Sequence, residues 1–394
     1  MRHRLVGHSV MAVFLLIVSA CAGGTAGSTT EPAAEPTTAQ ESSTTEAAVE
    51  TTTTAAAATT TTETSEGAVD ITAVCGTEPI TVALADGFGG NSWRRITRAE
   101  FEDEAAKCPN IEEVLYTDAQ GDQQQANADI NSLVAQGADA IVVYADFGEA
   151  ELPAIRAAHD EGVAIVPYLA DPGGTPGEDY VDFIDEDRDA IGKLWADWIS
   201  EAVGEGDIIF LGGIPGNPSS LGFIESLKKG LEAHPEISLL SDAPVDTNWD
   251  AAEYQRVMAG LLTQYDNIDG IVTDYGLGSI GAMRAYVAAN EPLPPIAALA
   301  SGNENGCLWE ELSASNPDFQ FMSVDGTTRI VRVALGKAVA AAQGLDDPFP
   351  NIVPLFVYGD SLSDSPPQCF PDLPPDADLS SSLTPEQLAD LFSS

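Results

Sequence analysis

From Pro79 onward, short apolar runs rich in β-branched residues alternate with longer stretches whose apolar positions recur every three to four residues. That alternation predicts repeated strand–helix units. ITVALAD (Ile80–Asp86) predicts a strand, followed by an amphipathic helix over about 92–107. EEVLYTD comes next, then a helix over 122–136, DAIVVYAD, a helix over 149–160 and VAIVPYLAD. The pattern continues with a helix over 187–203, DIIFLGG, a helix over 219–233, a strand near 237–245 and a helix over 250–265. DGIVTDYG, a helix over 277–290, PIAALAS, FQFMSVD and a helix over 326–342 complete it. The strand runs are apolar throughout rather than alternating, the mark of a parallel sheet covered by helices on both faces. About 300 residues of such units exceed one comfortable core, so two α/β lobes are expected. On the helix over 187–203, Ile191, Leu194, Trp195, Trp198 and Ile199 share one face and predict core packing.

Most of these strands end in an acid or a polar cluster: Asp86, Asp118, Asp146, Asp171, Asp246, Asp274, Asn303 with Glu304, and Asp325. Aromatic residues stand close by, at Phe88, Trp93, Phe147, Tyr168, Trp249 and Tyr275. Open α/β sheets bind ligands outside the carboxyl ends of their strands. Rings that cover C–H faces, beside carboxylates and amides that bond hydroxyls, suit a small polar solute. For any single acid the competing role is a helix N-cap. A dinucleotide is disfavoured, because GFGGNS after the first strand breaks the G-x-G-x-x-G spacing at Ser92 and only Glu112 or Glu113 loosely matches the ribose-binding acid.

Arg2 and Arg4 precede an apolar run, Ser9–Ala20, that is too short to span a bilayer. It closes on Val18-Ser19-Ala20-Cys21, which resembles a bacterial lipobox and implies removal of a signal peptide, 1–20, with a lipid on Cys21. Residues 21–70 are almost entirely Thr, Ala, Ser, Glu, Pro and Gly, with no aromatic or basic residue, and are expected to form a disordered tether. The expected location is the outer face of the cell membrane. Four cysteines remain in that oxidising compartment, which allows three pairings. Cys75 precedes the first strand and Cys108 ends the helix returning from it, so Cys75–Cys108 is expected, leaving Cys307–Cys369. Of 62 acidic and 16 basic residues, 54 and 14 lie from Ile71 onward, so the acidity belongs to the folded part. Nucleic acid, which needs a basic footprint, is excluded as a partner.

The stretches ALADGFGGNSWRR, DQQQANADINSLVAQGADAIVVYA, AIRAAHDEGVAIVPYLAD, FIDEDRDAIGKLWADWI and DGIVTDYGLGSIGAMRAY resemble type I periplasmic binding proteins, the ribose-binding-like sugar receptors of ABC transporters. The resemblance runs from about Ile80 to Phe356. It implies two lobes joined by three crossings, near 184–187, near Asp325 and near 351–353, and closing on a ligand. The implied first lobe is 71–184 plus 326–351, the second 185–325 plus 352–376, with 377–394 as a tail. It further implies an ABC permease as partner, a monomeric receptor and no cofactor. Asn91 and Trp93 match the polar and aromatic pair after the first strand, and Trp249 a ring that stacks on the ligand. Asp274 or Tyr275 stands where an asparagine is usual, and Asp325 where a hinge glutamine is usual. With the strand-end residues Asp86, Phe88, Asp146, Asp171 and Asn303, these make up the candidate ligand site.

Three positions depart from the ribose type. Leu169 and Ala170 replace an Asp-Arg pair, Phe223 replaces a second pocket arginine, and ASGNEN replaces a Phe-Asp. A pocket without arginines suits another sugar or polyol, or a cation held by carboxylates and rings. Arg94 and Arg95 remain: ion pairing at the surface is the expected role, with entry of one of them into the cleft as the alternative. DGFGGNSW is also similar to the start of nucleoside-binding lipoproteins, and a receptor feeding a signalling partner is a further alternative. An enzyme is disfavoured: His159 and His234 sit among surface-type residues, and Gly-Leu-Gly-Ser-Ile-Gly around Ser279 misses a nucleophile elbow. DEDRDA, Asp185–Ala190, lacks the glycine and final glutamate of a calcium loop, so Asp187 is expected to cap a helix and no metal is expected.

Overall fold

The computed structural model describes residues 70–393. The expected signal peptide, the expected lipid on Cys21 and the expected tether up to Val69 lie outside the described residues. The first lobe opens with β1 (Ile80–Asp86), α1 (Ser92–Ala105), β2 (Ile111–Asp118), α2 (Gln123–Ala135), β3 (Ala140–Tyr144), α3 (Leu152–Asp160) and β4 (Ala164–Pro167). The chain then crosses through β5 (Asp185–Glu186). Next come α4 (Arg188–Val203), β6 (Gly206–Gly212), α5 (Pro218–Leu231), β7 (Ile237–Leu239), β8 (Val245–Asp246) and α6 (Ala251–Gln264). The second lobe continues with β9 (Gly270–Thr273), α7 (Gly276–Ala289), β10 (Ile296–Leu299), α8 (Asn303–Ser313) and β11 (Phe321–Val324). After Asp325 the chain returns to the first lobe as α9 (Ile330–Ala342), crosses again at β12 (Ile352–Val353), and ends with β13 (Val357–Asp360) and α10 (Pro385–Phe392).

The first sheet has the order β2-β1-β3-β4, all parallel. The second runs β13-β11-β10-β9-β6-β7, with β8 also on β6, and only β13 is antiparallel. Both are doubly wound. Val82, Leu84, Val142 and Val166 face α1 and α9, while Ala83, Ala85, Ile141 and Ile165 face α2 and α3. In the second lobe Ile209, Ile271 and Phe321 pack with α6 and α7, and Phe210, Val272 and Met322 with α4 and α5, including Trp195 and Trp198. Burial on both faces is why these strands read as unbroken apolar runs. The edge strand β2 is the exception, half exposed and carrying Glu112 and Glu113.

Acids and amides at helix starts fix the entry angles. Asn91, Asp122, Asp187, Asn217 and Asp250 each accept a backbone N–H from the first turn of their helix. At the crossings β5 and β12 pair in parallel, Asp185 with Ile352 and Glu186 with Val353. Cys75–Cys108 and Cys307–Cys369 are the disulfides present.

The segment after Cys369 packs on both lobes. Asn303, at the start of α8, donates to the carbonyls of Phe370 and Leu373 at 2.9 and 3.0 Å and accepts from Phe370 N–H. Farther along, Ser381 and Ser382 bond Glu100 of α1, and Leu383 and Leu388 bury Ile96 of α1. This strap, and α8 to which it is tied, were not expected from the hydrophobic pattern.

Candidate functional site

The carboxyl ends of β1 and β3 face those of β6, β9, β10 and β11 across a cleft of about 450 Å³, counting its solvent-open part. Aromatic rings wall it: Trp93 and Tyr144 from the first lobe, Phe223, Trp249 and Tyr275 from the second. At its floor is Arg94, a residue expected to pair at the surface. α1 turns it inward, about one turn ahead of the buried Thr97 and two ahead of the buried Phe101, and it is 2% exposed. Its Nη1 donates to Asp86 Oδ1 at 2.9 Å and its Nη2 to Asp146 Oδ1 at 2.8 Å. The guanidinium lies 3.4 Å from the centre of the Tyr144 ring. Burial raises both aspartates, against the opposing pull of Arg94, so with one guanidinium between two buried carboxylates the environment favours keeping a proton on one of them. Asn217, capping α5 in the second lobe, donates to the Asp146 carbonyl and Oδ1, each at 3.1 Å, and so bridges the lobes.

Trp249 is 8% exposed and held on three sides. Its indole N–H donates to Asp274 Oδ1 at 3.0 Å, and its ring lies flat on Gly213, where a Cβ would come within 2.0 Å. Its own backbone is left-handed, with φ +50° following +55° at Asn248. Asp274 also accepts from the Ser220 hydroxyl, so both its oxygens are committed. Burial pushes its carboxyl up to about 6, with the hydrogen bonds from Ser220 and Trp249 resisting. Trp93 crosses the cleft differently. Its indole N–H donates to the Gly326 carbonyl at 2.6 Å, and its backbone N–H to the Tyr275 hydroxyl at 3.0 Å.

Of the sequence-predicted residues, Asn91, Trp93, Trp249, Asp274 and Tyr275 line the cleft, and Asp86 and Asp146 stand one layer behind it, holding Arg94. Four expectations are corrected. Asp171 is exposed and accepts from Gly173 N–H in its own turn. Phe88 leans on Gly121, away from the cleft lining. Asn303 is spent on the strap. Asp325 is paired with Arg329 at 2.7 Å and bonds Thr327 N–H. Of the two roles open to Arg94, entry into the cleft holds, and the expected pairing at the surface does not. Leu169 and Phe223 do line it as apolar residues, but Arg94 enters from α1 instead, and Arg188 stacks behind Phe223 at 4.4 Å.

Besides Arg94, the missed polar residues are Tyr144, Ser219 and Glu186, and Leu299, Ala300 and Gly326 were missed among the rest of the lining. Helical phase with Thr97 and Phe101 was the signal that could have placed Arg94. Glu186 sits on a two-residue strand with no periodicity to display. It is 2% exposed, and its Oε2 has no hydrogen-bond partner among the described residues. Burial pushes its carboxyl up to about 8, with Arg188 pulling against that and Asp185 adding to it. Among the described residues no group of His, Cys, Asp and Glu is placed to hold a metal ion, and no helix is long and apolar enough to cross a membrane.

Comparison with known proteins agrees with this geometry. A family model described as periplasmic binding protein domain matches residues 82–311, more than half of the chain. A xylitol-binding protein of Mycolicibacterium smegmatis is 28% identical over 71% of this chain and 76% of its own. The ribose import binding protein RbsB of Haemophilus influenzae is 27% identical over 45% of this chain and 59% of its own. The solved structure of a Caulobacter myo-inositol binding protein superposes with a TM-score of 0.62 at 21% identity, covering 72% of this chain and 95% of that one. Matched by the family model and built as two doubly wound lobes around a cleft, the chain belongs to the periplasmic binding proteins, as a type I member of the ribose-binding-like branch.

Proposed function

We propose that this chain is the solute-binding component of an ABC importer and closes its lobes on a neutral polyhydroxylated solute, a polyol or a sugar. The carrying observation is Arg94, charge-matched by Asp86 and Asp146 and stacked on Tyr144. An anion entering this cleft meets Asp146 and Asp274 with the arginine's charge already matched. A cation finds the Tyr144 face occupied by a guanidinium. A hydroxyl-rich neutral molecule meets no such opposition. The guanidinium has five N–H groups, and those not used by the aspartates can donate to ligand oxygens, while Trp93 and Trp249 cover C–H faces. Relatives named for xylitol, ribose and myo-inositol support the same class.

The leader places the receptor outside the membrane, with a lipid on Cys21 and a Thr-rich tether, acting as a monomer that hands its solute to a permease. The test is a thermal-shift screen of residues 70–394 against pentitols, inositols, pentoses, hexoses, nucleosides and polyamines, followed by calorimetry. Ligand at 100 times its Kd should add about 2.7 kcal/mol, a rise of a few degrees. Stabilisation by nucleosides or polyamines alone would overturn the reading.

A further inference from the structure

We propose that Glu186 is a direct ligand contact, presenting a neutral carboxyl from the hinge strand whose Oε2–H donates to an oxygen of the bound polyol. The assignment rests on the polyol reading above. Most other polar groups of the cleft wall are committed to the protein. Asp274 uses both oxygens on Ser220 and Trp249, and the indole N–H groups of Trp93 and Trp249 go to Gly326 and Asp274. The Tyr275 hydroxyl is held by Ser92 and the Trp93 amide. Glu186 lines the same cleft, and its Oε2 is buried and without a partner among the described residues. A buried polar atom left unpaired costs about 1–3 kcal/mol, and of the several such atoms among the described residues only Glu186 Oε2 belongs to a side chain that lines the cleft.

The charges around Glu186 explain why it would be neutral. On its own segment, Arg188 is chelated by Asp185 and donates to the Ser219 and Leu169 carbonyls. At the second crossing, Asp325 holds Arg329, with the Thr327 hydroxyl beside it. Across the cleft, Arg94 is matched by Asp86 and Asp146, and Asp274 is itself acidic. Every nearby guanidinium already has a carboxylate, so none is left to hold Glu186 ionised. A neutral carboxyl both donates and accepts, which is what a hydroxyl group does in return. Bound solute removes the remaining water and favours the neutral form further.

The experiment is calorimetric titration of xylitol, with D-ribose and myo-inositol in parallel, into wild type, Glu186→Gln and Glu186→Ala near pH 6 and near pH 9. With a carboxyl that ionises at about 8, wild-type affinity should fall about tenfold between those conditions. Glu186→Gln should bind within about threefold of wild type at the lower pH and lose the pH dependence, because the amide still donates. Glu186→Ala should bind more than tenfold more weakly than wild type at the lower pH. Binding untouched by Glu186→Ala, or a fall in affinity between the two pH values as large in Glu186→Gln as in wild type, would overturn the assignment while leaving the polyol reading intact. If none of the three solutes binds wild type, the polyol reading fails and this assignment with it.

Discussion

Replacing Arg94 by Met tests whether the site is built around a charge-matched arginine. The guanidinium is 2% exposed and bonds two aspartates that are equally shielded. Removing it leaves the Asp86–Asp146 pair with one buried carboxylate that has no counter-charge, and breaking a buried pair in this way costs about 3–5 kcal/mol. The cheapest relief is for that carboxylate to take up a proton as well. Holding a carboxyl neutral whose unfolded pKa is about 3.9 costs about 1.4 kcal/mol per pH unit above that value. The loss relative to wild type is therefore about 5 kcal/mol near pH 7.5 and about 2 kcal/mol near pH 5.5.

The sign follows from linkage. The variant's folded state binds a proton that its unfolded state has released, so its stability is greatest at low pH and is lost as pH rises. Urea unfolding followed by tryptophan fluorescence at the two pH values measures it. Adding Asp86→Asn and Asp146→Asn to Arg94→Met should recover most of the loss and flatten its pH dependence, since an uncharged site of similar volume needs no counter-ion. An equal loss at both pH values, or no recovery in the triple variant, would refute the reasoning.

Gly213→Ala should displace the Trp249 ring, because the new Cβ would sit 2.0 Å from it; calorimetry should show at least tenfold weaker xylitol binding with the fold retained. The double variant Cys307→Ser, Cys369→Ser opens a loop with a sequence separation of 62, for which loop-closure entropy predicts a loss of about 4 kcal/mol in urea unfolding. A loss under about 1 kcal/mol would refute the loop-closure estimate. Truncation after Asp376 uncovers Ile96 and strips Glu100 of its Ser381 and Ser382 donors. It should lower the melting temperature by several degrees and, by freeing the first lobe from a segment tied to the second, speed xylitol release in stopped-flow fluorescence.

Much of the scaffold was legible in the sequence because strands buried on both faces leave apolar runs that polar helices cannot imitate. What the pattern hid were elements with little apolar content of their own. α8 carries only Leu308, Trp309 and Leu312, all half-buried, and β13 is an antiparallel edge. The strap has a single strongly buried helical residue, Leu388. The site followed the same logic. Trp93, Trp249 and Tyr275 were legible as rings beside strand ends, although Phe88, in the same kind of position, packs on Gly121 instead. Acids there have several uses, and Asp171 and Asp325 went to a turn and to Arg329, while the amide of Asn303 went to the strap. Arg94 was misjudged because a charged residue on a helix is ordinarily solvated; only its phase with Phe101, and the pair of aspartates across the sheet, make burial affordable.

The backbone adds an argument about which residues are kept for binding rather than for folding. Outside glycine, positive φ occurs at Gln120, Leu169, Asn248, Trp249, Asn290, Ala300 and Thr327. Leu169, Trp249 and Ala300 line the cleft, Asn248 precedes Trp249, and Thr327 follows the lining residue Gly326. Such conformations cost about 1–3 kcal/mol each and persist only where the surroundings hold them. Glycine would adopt φ +50° at 249 without that cost but would supply no ring. Trp249→Gly and Trp249→Ala therefore separate the two contributions. Both remove the ring and its bond to Asp274, so both should lose polyol affinity alike. The glycine variant should nevertheless be the more stable of the two by about 1 kcal/mol in urea unfolding, because only alanine retains the strained Cβ. If alanine proves the more stable, the left-handed turn carries no strain, and tryptophan stands at 249 without any conformational cost to set against its binding role.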